Sequence, residues 1–177
     1  QNWVTTPYLF GSYRIVIMPN VYPMSGMANP MLTYTSQTTI VGDKSQEFVL
    51  VRNAAQHWTG AVVTNNNWED QWLNEGLSTY IERMVEAQLY DQQFIVAEAF
   101  VGNSSLARQT SVIGVQNETY STLHPVLHGE NPDYAFSQIM YEKGFQFLWW
   151  IEQAVLGYAG MNDWFIYYLN NYNLMSI

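Results

Sequence analysis

Cysteine is absent from the sequence, which removes disulfide frameworks and thiolate metal sites and leaves the redox compartment open. Basic residues are scarce, with 6 Lys and Arg against 15 Asp and Glu and a formal charge of -9. That balance repels phosphate backbones and anionic lipid, so nucleic acid is discounted as a partner. Apolar runs long enough to cross a bilayer, roughly 18 to 20 residues, are missing, as is a charged-then-apolar leader. A soluble chain is therefore expected. What the sequence does have is core material: 177 residues, 48% hydrophobic and 16% aromatic, enough for one domain. It begins with Gln1 and closes without a terminal signal, which suggests a piece of something longer. The sequons at Asn103 and Asn117 are short patterns that carry little weight.

Tyr13 to Met18 is a β-branched apolar run stopped by Pro19, which predicts a buried strand. The proline- and glycine-containing stretch from Pro19 to Pro30 predicts no regular structure, and the threonine-rich stretch from Met31 to Ile40 predicts a half-buried or edge strand. Asp43, with Gln46 after it, offers a weak capping box for a helix from Lys44 to about Gly60. A second helix is expected from Trp68–Asp70 onward, with Arg83 and Glu86 towards solvent. Further helices are expected over 92–101, 134–156 and about 162–172, with 102–133 rich in loops. Phe145 to Trp150 should pack in the core. One small sheet followed by helices is an α+β layout.

Trp58 to Gly76 carries the pattern W-T-G-x-x-V-T-N-x-x-W-x-x-x-W-L-N-E-G. This stretch resembles the gluzincin zinc aminopeptidases, most closely the leukotriene A(4) hydrolase branch. Three further segments agree in order. Ser25–Pro30 is similar to that family's G-x-M-E-N-P, Val41–Ser45 to its A-G-D-K-S, and Tyr141–Gly144 to its Y-E-K-G. The resemblance covers nearly the whole chain and implies a thermolysin-like catalytic domain, one part of a longer family architecture. It suggests the cytosol as compartment.

In such enzymes two histidines one helical turn apart and a glutamate on the next helix hold zinc, with an open position for water. Carried over by resemblance, the ligand positions fall on Arg52, Gln56 and Glu75, and the general base falls on Asn53. Eighteen residues separate Gln56 from Glu75, the family's own interval. His57 is one residue out of register, and one step turns a side chain by about 100° around a helix. Other positions implied by the resemblance line the cleft: Gly26, Met27, Ala28 in place of the amine-binding glutamate, Asn29, Asp133, and Phe136 in place of a tyrosine. Tyr141 matches the tyrosine that stabilises the oxyanion. His124 and His128, four apart, could share a metal on a helix, although Pro125 and Gly129 suit a loop equally.

Arginine has no free lone pair, so it cannot replace a histidine ligand, and without metal neither the nucleophilic water nor the carbonyl polarisation is supplied. The expectation is a pseudoenzyme without bound cofactor, serving as a scaffold or interaction module for a protein partner or larger assembly. Arg52 is expected to fill the metal position and pair with Glu75. Two competitors stay open: an active zinc aminopeptidase or epoxide hydrolase, if residues 52–56 are not the native ones, and a peptide receptor that reuses the cleft.

Overall fold

The computed structural model describes residues 7–116 and 118–177. Asn117, and with it the second sequon, lies outside the described residues. Asn103 is exposed on a helix.

Three strands form a mixed sheet in the order β1-β3-β2: β1 (Arg14–Met18), β2 (Gly26–Met27) and β3 (Leu32–Ser36). β1 runs parallel to β3 with Arg14 opposite Leu32, and β2 runs antiparallel with Gly26 opposite Thr35. Two expectations are corrected here. Apolar β1 lies at the sheet edge with Ile15, Val16 and Ile17 exposed, whereas the central threonine-bearing β3 is the strand that buries Thr33 and Thr35. Hydrophobic content marked a strand without telling which side would be covered. The stretch before Pro30, expected to be irregular, contributes β2, because its short extended pair reaches the free edge of β3.

The first helix, α1 (Glu47–Ala55), is shorter at both ends than its periodicity predicts. Asp43 Oδ1 accepts from the Ser45 backbone N–H at 3.0 Å and shapes a turn instead of capping the helix. Beyond Ala55 the carbonyls of Gln56, His57 and Trp58 accept from the N–H groups of Ala61, Val62 and Val63. These wide turns replace the α-helical ladder and deliver Val62 and Val63 into the core, where they are almost fully buried. Strand β4 (Val63–Thr64) then pairs in parallel with β5 (Met175–Ser176).

Asn67 Oδ1 accepts from the backbone N–H groups of Glu69 and Asp70, starting a 3₁₀ turn that runs into α2 (Gln71–Leu89). α2 is buried along most of its length, since α1, α3 (Gln92–Gln116) and α4 (Gln138–Ile151) all pack on it. Consequently Arg83 and Glu86, expected at the surface, are both only 4% exposed. Arg83 donates to both Glu142 oxygens at 2.6 and 3.0 Å and lies over the Phe145 ring at 4.2 Å. α3 continues fifteen residues past the expected end at 101, through a segment whose Gly and Asn suggested loops. Ser137 Oγ caps α4 by accepting from the Ile139 N–H at 3.3 Å. A π-helical turn at Glu152–Leu156 closes at Gly157, whose φ of 66° opens α5 (Gly157–Asn171).

The core joins Leu77, Tyr80 and Ile81 of α2 to Phe145 and Leu148 of α4 and Met161, Phe165 and Leu169 of α5. The aromatic stripe of α4 divides: Phe145 is fully buried, whereas Phe147 and Trp150 are exposed. Where α2 crosses α4 the backbones nearly touch. A Cβ on Gly76 would come within 2.8 Å of the Gly144 Cα, so only glycine allows this crossing. Among the described residues, no helix is long and apolar enough to cross a membrane.

Candidate functional site

α1 and α2 pack side by side, and the end of the sheet approaches α1 at β2. Two adjoining cavities, of about 360 and 190 Å³, lie where these elements meet the start of α4. The larger is lined by Gly26, Met27, Ala28, Gln56, Glu75 and Tyr141. The smaller adds Arg52 and Asn53. Eight of the residues singled out from sequence are thus gathered into one cleft. Three are not among its lining. Asn29 follows the strand with its Nδ2 buried and without a partner among the described residues, and Asp133 is exposed in a one-turn 3₁₀ helix. Phe136, half exposed, meets the Tyr141 ring edge-on at 6.1 Å.

Glu75 is buried, and its carboxylate is held by two amides: Gln56 Nε2 donates to Oε2 at 2.8 Å, and Gln71 Nε2 donates to Oε1 at 3.2 Å. Burial raises its pKa above the ordinary carboxylate range, against the lowering effect of both amides and of the nearby Arg52 charge. The expected Arg52–Glu75 pairing is not formed. Arg52 Nε instead donates to Glu82 Oε2, with the guanidinium 5.6 Å from the Tyr141 ring and 5.9 Å from the Phe48 ring. The physical reason is competition: Glu82 is as buried as Glu75 and, among the described residues, has no amide donors, so it draws the cation. Burial would lower the Arg52 pKa, and the Glu82 carboxylate more than offsets it, so the guanidinium stays charged.

Asn53, on which the resemblance lays the general base, is 5% exposed, with its Nδ2 packed against β2 and without a partner among the described residues. A side chain at Gly26 would collide with it, the nearest approach of a Cβ being 2.1 Å, so glycine there is what lets the strand lie on α1. Tyr141 keeps its phenol proton: burial, and then the Glu75 charge, push its pKa well above the usual value, with Arg52 opposing. A neutral amide accepts no proton from water, and a phenol that keeps its proton serves as a hydrogen-bonding group and not as a base.

His57 turns towards the sheet. Its buried ring stacks on Tyr8 at 5.5 Å, meets the Tyr13 edge, and brings Nε2 to 3.4 Å from Thr33 Oγ1. Burial lowers its pKa. The His124–His128 pair lies in a loop, with His128 at a φ of 52°, which removes the helical spacing that could have joined them on one metal. His124 instead contacts Asp70 Oδ1 at 2.8 Å. Among the described residues, no three His, Cys, Asp or Glu side chains converge as a metal site would need.

Sequence reasoning missed Glu82 and Gln71, the two residues that settle the charges of Arg52 and Glu75. A signal existed for both. Glu82 follows Glu75 by two helical turns and Gln71 precedes it by one, so all three share a face of α2.

Comparison with known proteins gives a consistent result. The sequence profile of the Peptidase family M1 domain matches residues 1–177. Leukotriene A-4 hydrolase of Xenopus laevis is 39% identical over 151 residues, 85% of this chain and 25% of that protein. Leucine aminopeptidase 2 of Aspergillus clavatus is 35% identical over 175 residues, 98% of this chain and 28% of that protein. Among solved structures, yeast LTA4 hydrolase in complex with Bestatin superposes with a TM-score of 0.92 at 31% identity, over 99% of this chain and 28% of that one. This chain therefore spans about a quarter of the length of the relatives it matches.

Proposed function

The chain belongs to peptidase family M1, and from that premise we propose that it is a catalytically inactive member, retained as a scaffold or protein-interaction module. The family works with zinc, and the residues present do not fit that ion. Of the three ligand positions, Arg52 offers no lone pair and is committed to Glu82. Gln56 spends its amide N–H on Glu75, and Glu75 alone retains ligand chemistry. The observation that carries the reading is this Gln56–Glu75 hydrogen bond beside the Arg52–Glu82 pair: polar side chains satisfy one another where a divalent ion would be ligated. Asn53 cannot act as the base, and losing one acid–base group costs about 10²- to 10⁴-fold before the missing metal is counted.

Ala28, Phe136 and Tyr141 belong to the same reading. Ala28 offers no carboxylate to a peptide amine, Phe136 offers no hydroxyl, and Tyr141 remains as a ring under the Arg52 cation. A charged arginine set over an aromatic ring stabilises the cleft wall without any turnover.

The test is metal analysis of the purified chain after zinc loading and desalting, together with hydrolysis of aminoacyl-arylamides. The expected outcome is far less than one zinc per chain and no hydrolysis above the buffer rate. Stoichiometric zinc lost on Glu75→Gln, with turnover that follows the metal, would overturn the reading.

A further inference from the structure

On the far side of the Arg52–Glu82 pair lies a second and larger cavity of about 530 Å³, bounded by α1, α2, α3 and α4. Six carboxylates line it against three cationic side chains. Two of those cations are already engaged, Arg52 with Glu82 and Arg83 with Glu142, while Lys44 is exposed at the rim. Most of the acids are settled too. Glu47 accepts from the Tyr90 hydroxyl, Asp43 from the Ser45 N–H, and Glu98 lies 3.9 Å from Arg83.

Glu86 is the exception. Its side chain faces the cavity, it is only 4% exposed, and among the described residues no donor or cation reaches its carboxylate within bonding distance. Burial, followed by the charges of Glu82, Glu98 and Glu47, pushes its pKa up to about 7, with Arg83 opposing. A carboxylate in this position is stabilised by a cation delivered from outside. The remaining wall says which kind: Phe48, Phe94 and Val101 are apolar, suited to the methylene stem and the planar face of an arginine. A guanidinium sheds water more readily than an ammonium and presents several N–H groups to carboxylates at once. On α3, Val101 at the cavity and its neighbour Phe100 are 63% and 70% exposed, an apolar shoulder for the chain that carries such a residue.

We propose that this cavity receives an arginine side chain of a polypeptide partner, with the guanidinium seated against Glu86. It rests on the interaction-module reading and names the chemistry of the partner. The test is a calorimetric and NMR titration of the full chain with N-acetyl-L-arginine amide, using N-acetyl-L-citrulline amide as the uncharged isostere. The arginine amide should bind at least about tenfold more tightly than the citrulline amide, with shifts at Phe48 and Phe94, and Glu86→Gln should remove about tenfold of that affinity while the far-UV CD spectrum stays unchanged. Should Glu86→Gln fail to fold, Glu98→Gln, at a partly exposed position, should still weaken binding several-fold. Equal binding of the two amides, or arginine-amide binding undiminished in the folded variant, would overturn the proposal. Such a failure leaves the zinc and hydrolysis results untouched, and stoichiometric zinc would leave this titration unchanged, so the two readings fail separately.

Discussion

Glu75 and Glu86 stand on the same helix, both buried, and their carboxylates are treated in opposite ways. Around Glu75, two amides and the neighbouring Arg52 charge are arranged so that each polar group has a use. Around Glu86 the acids outnumber the free cations, and among the described residues nothing closes on the carboxylate. The difference teaches that a few neighbouring side chains are enough to satisfy one buried carboxylate. A buried carboxylate left without donors in an open cavity has room for a group that arrives from outside.

The strongest way to break the comparison is to turn Glu75 back into a ligand. The combined substitution Arg52→His, Asn53→Glu and Gln56→His supplies the missing lone pairs and should raise bound zinc from far below one to about one per chain, measured by elemental analysis after desalting. Next in size, Arg52→Met would leave Glu82, on the wall of the same cavity, as partnerless as Glu86. A loss of about 3 to 5 kcal/mol in urea unfolding is expected, most of it regained when Glu82→Leu is added. Gly76→Ala would force α2 and α4 apart beside Glu75 and should cost about 1 to 3 kcal/mol, read in the same unfolding experiment.

The smallest effect concerns pH. The Glu86 carboxyl titrates near 7 in the folded chain and near its ordinary 4.5 when unfolded, so between these values the folded state binds more protons. Stability should therefore fall as pH rises from about 4.5 to 7, by about 1 to 2 kcal/mol once screening at the cavity mouth is allowed for. Glu86→Gln should flatten that slope, as followed by thermal unfolding at a series of pH values.

Much of this architecture was legible in the residues. The motif from Trp58 to Gly76 marked two packed helices, and Gln56 and Glu75, paired by their interval in the sequence, line one cavity in the structure. Periodicity found the helices but misjudged their ends, because the wide turns after Ala55 and the helical continuation of α3 depend on tertiary contacts that local preference does not encode. The fate of Arg52 was misread for a related reason. Its choice between Glu75 and Glu82 depends on which carboxylate has other donors, and Gln71 and Gln56 decide that from positions a turn or a helix away. Arg83 and Glu86 read as solvent-side charges until α3 and α4 were laid over them.

The crossing at Gly76 and Gly144 has a mechanical meaning for the cleft. Glu75 immediately precedes one glycine and Tyr141 lies one turn before the other, so the contact acts as a weld between the two walls that carry them. Shear between α2 and α4 is blocked at that point. Any widening or narrowing of the opening has to come from the opposite jaw, where the two-residue strand bearing Gly26 and Met27 is the lighter and more easily displaced part.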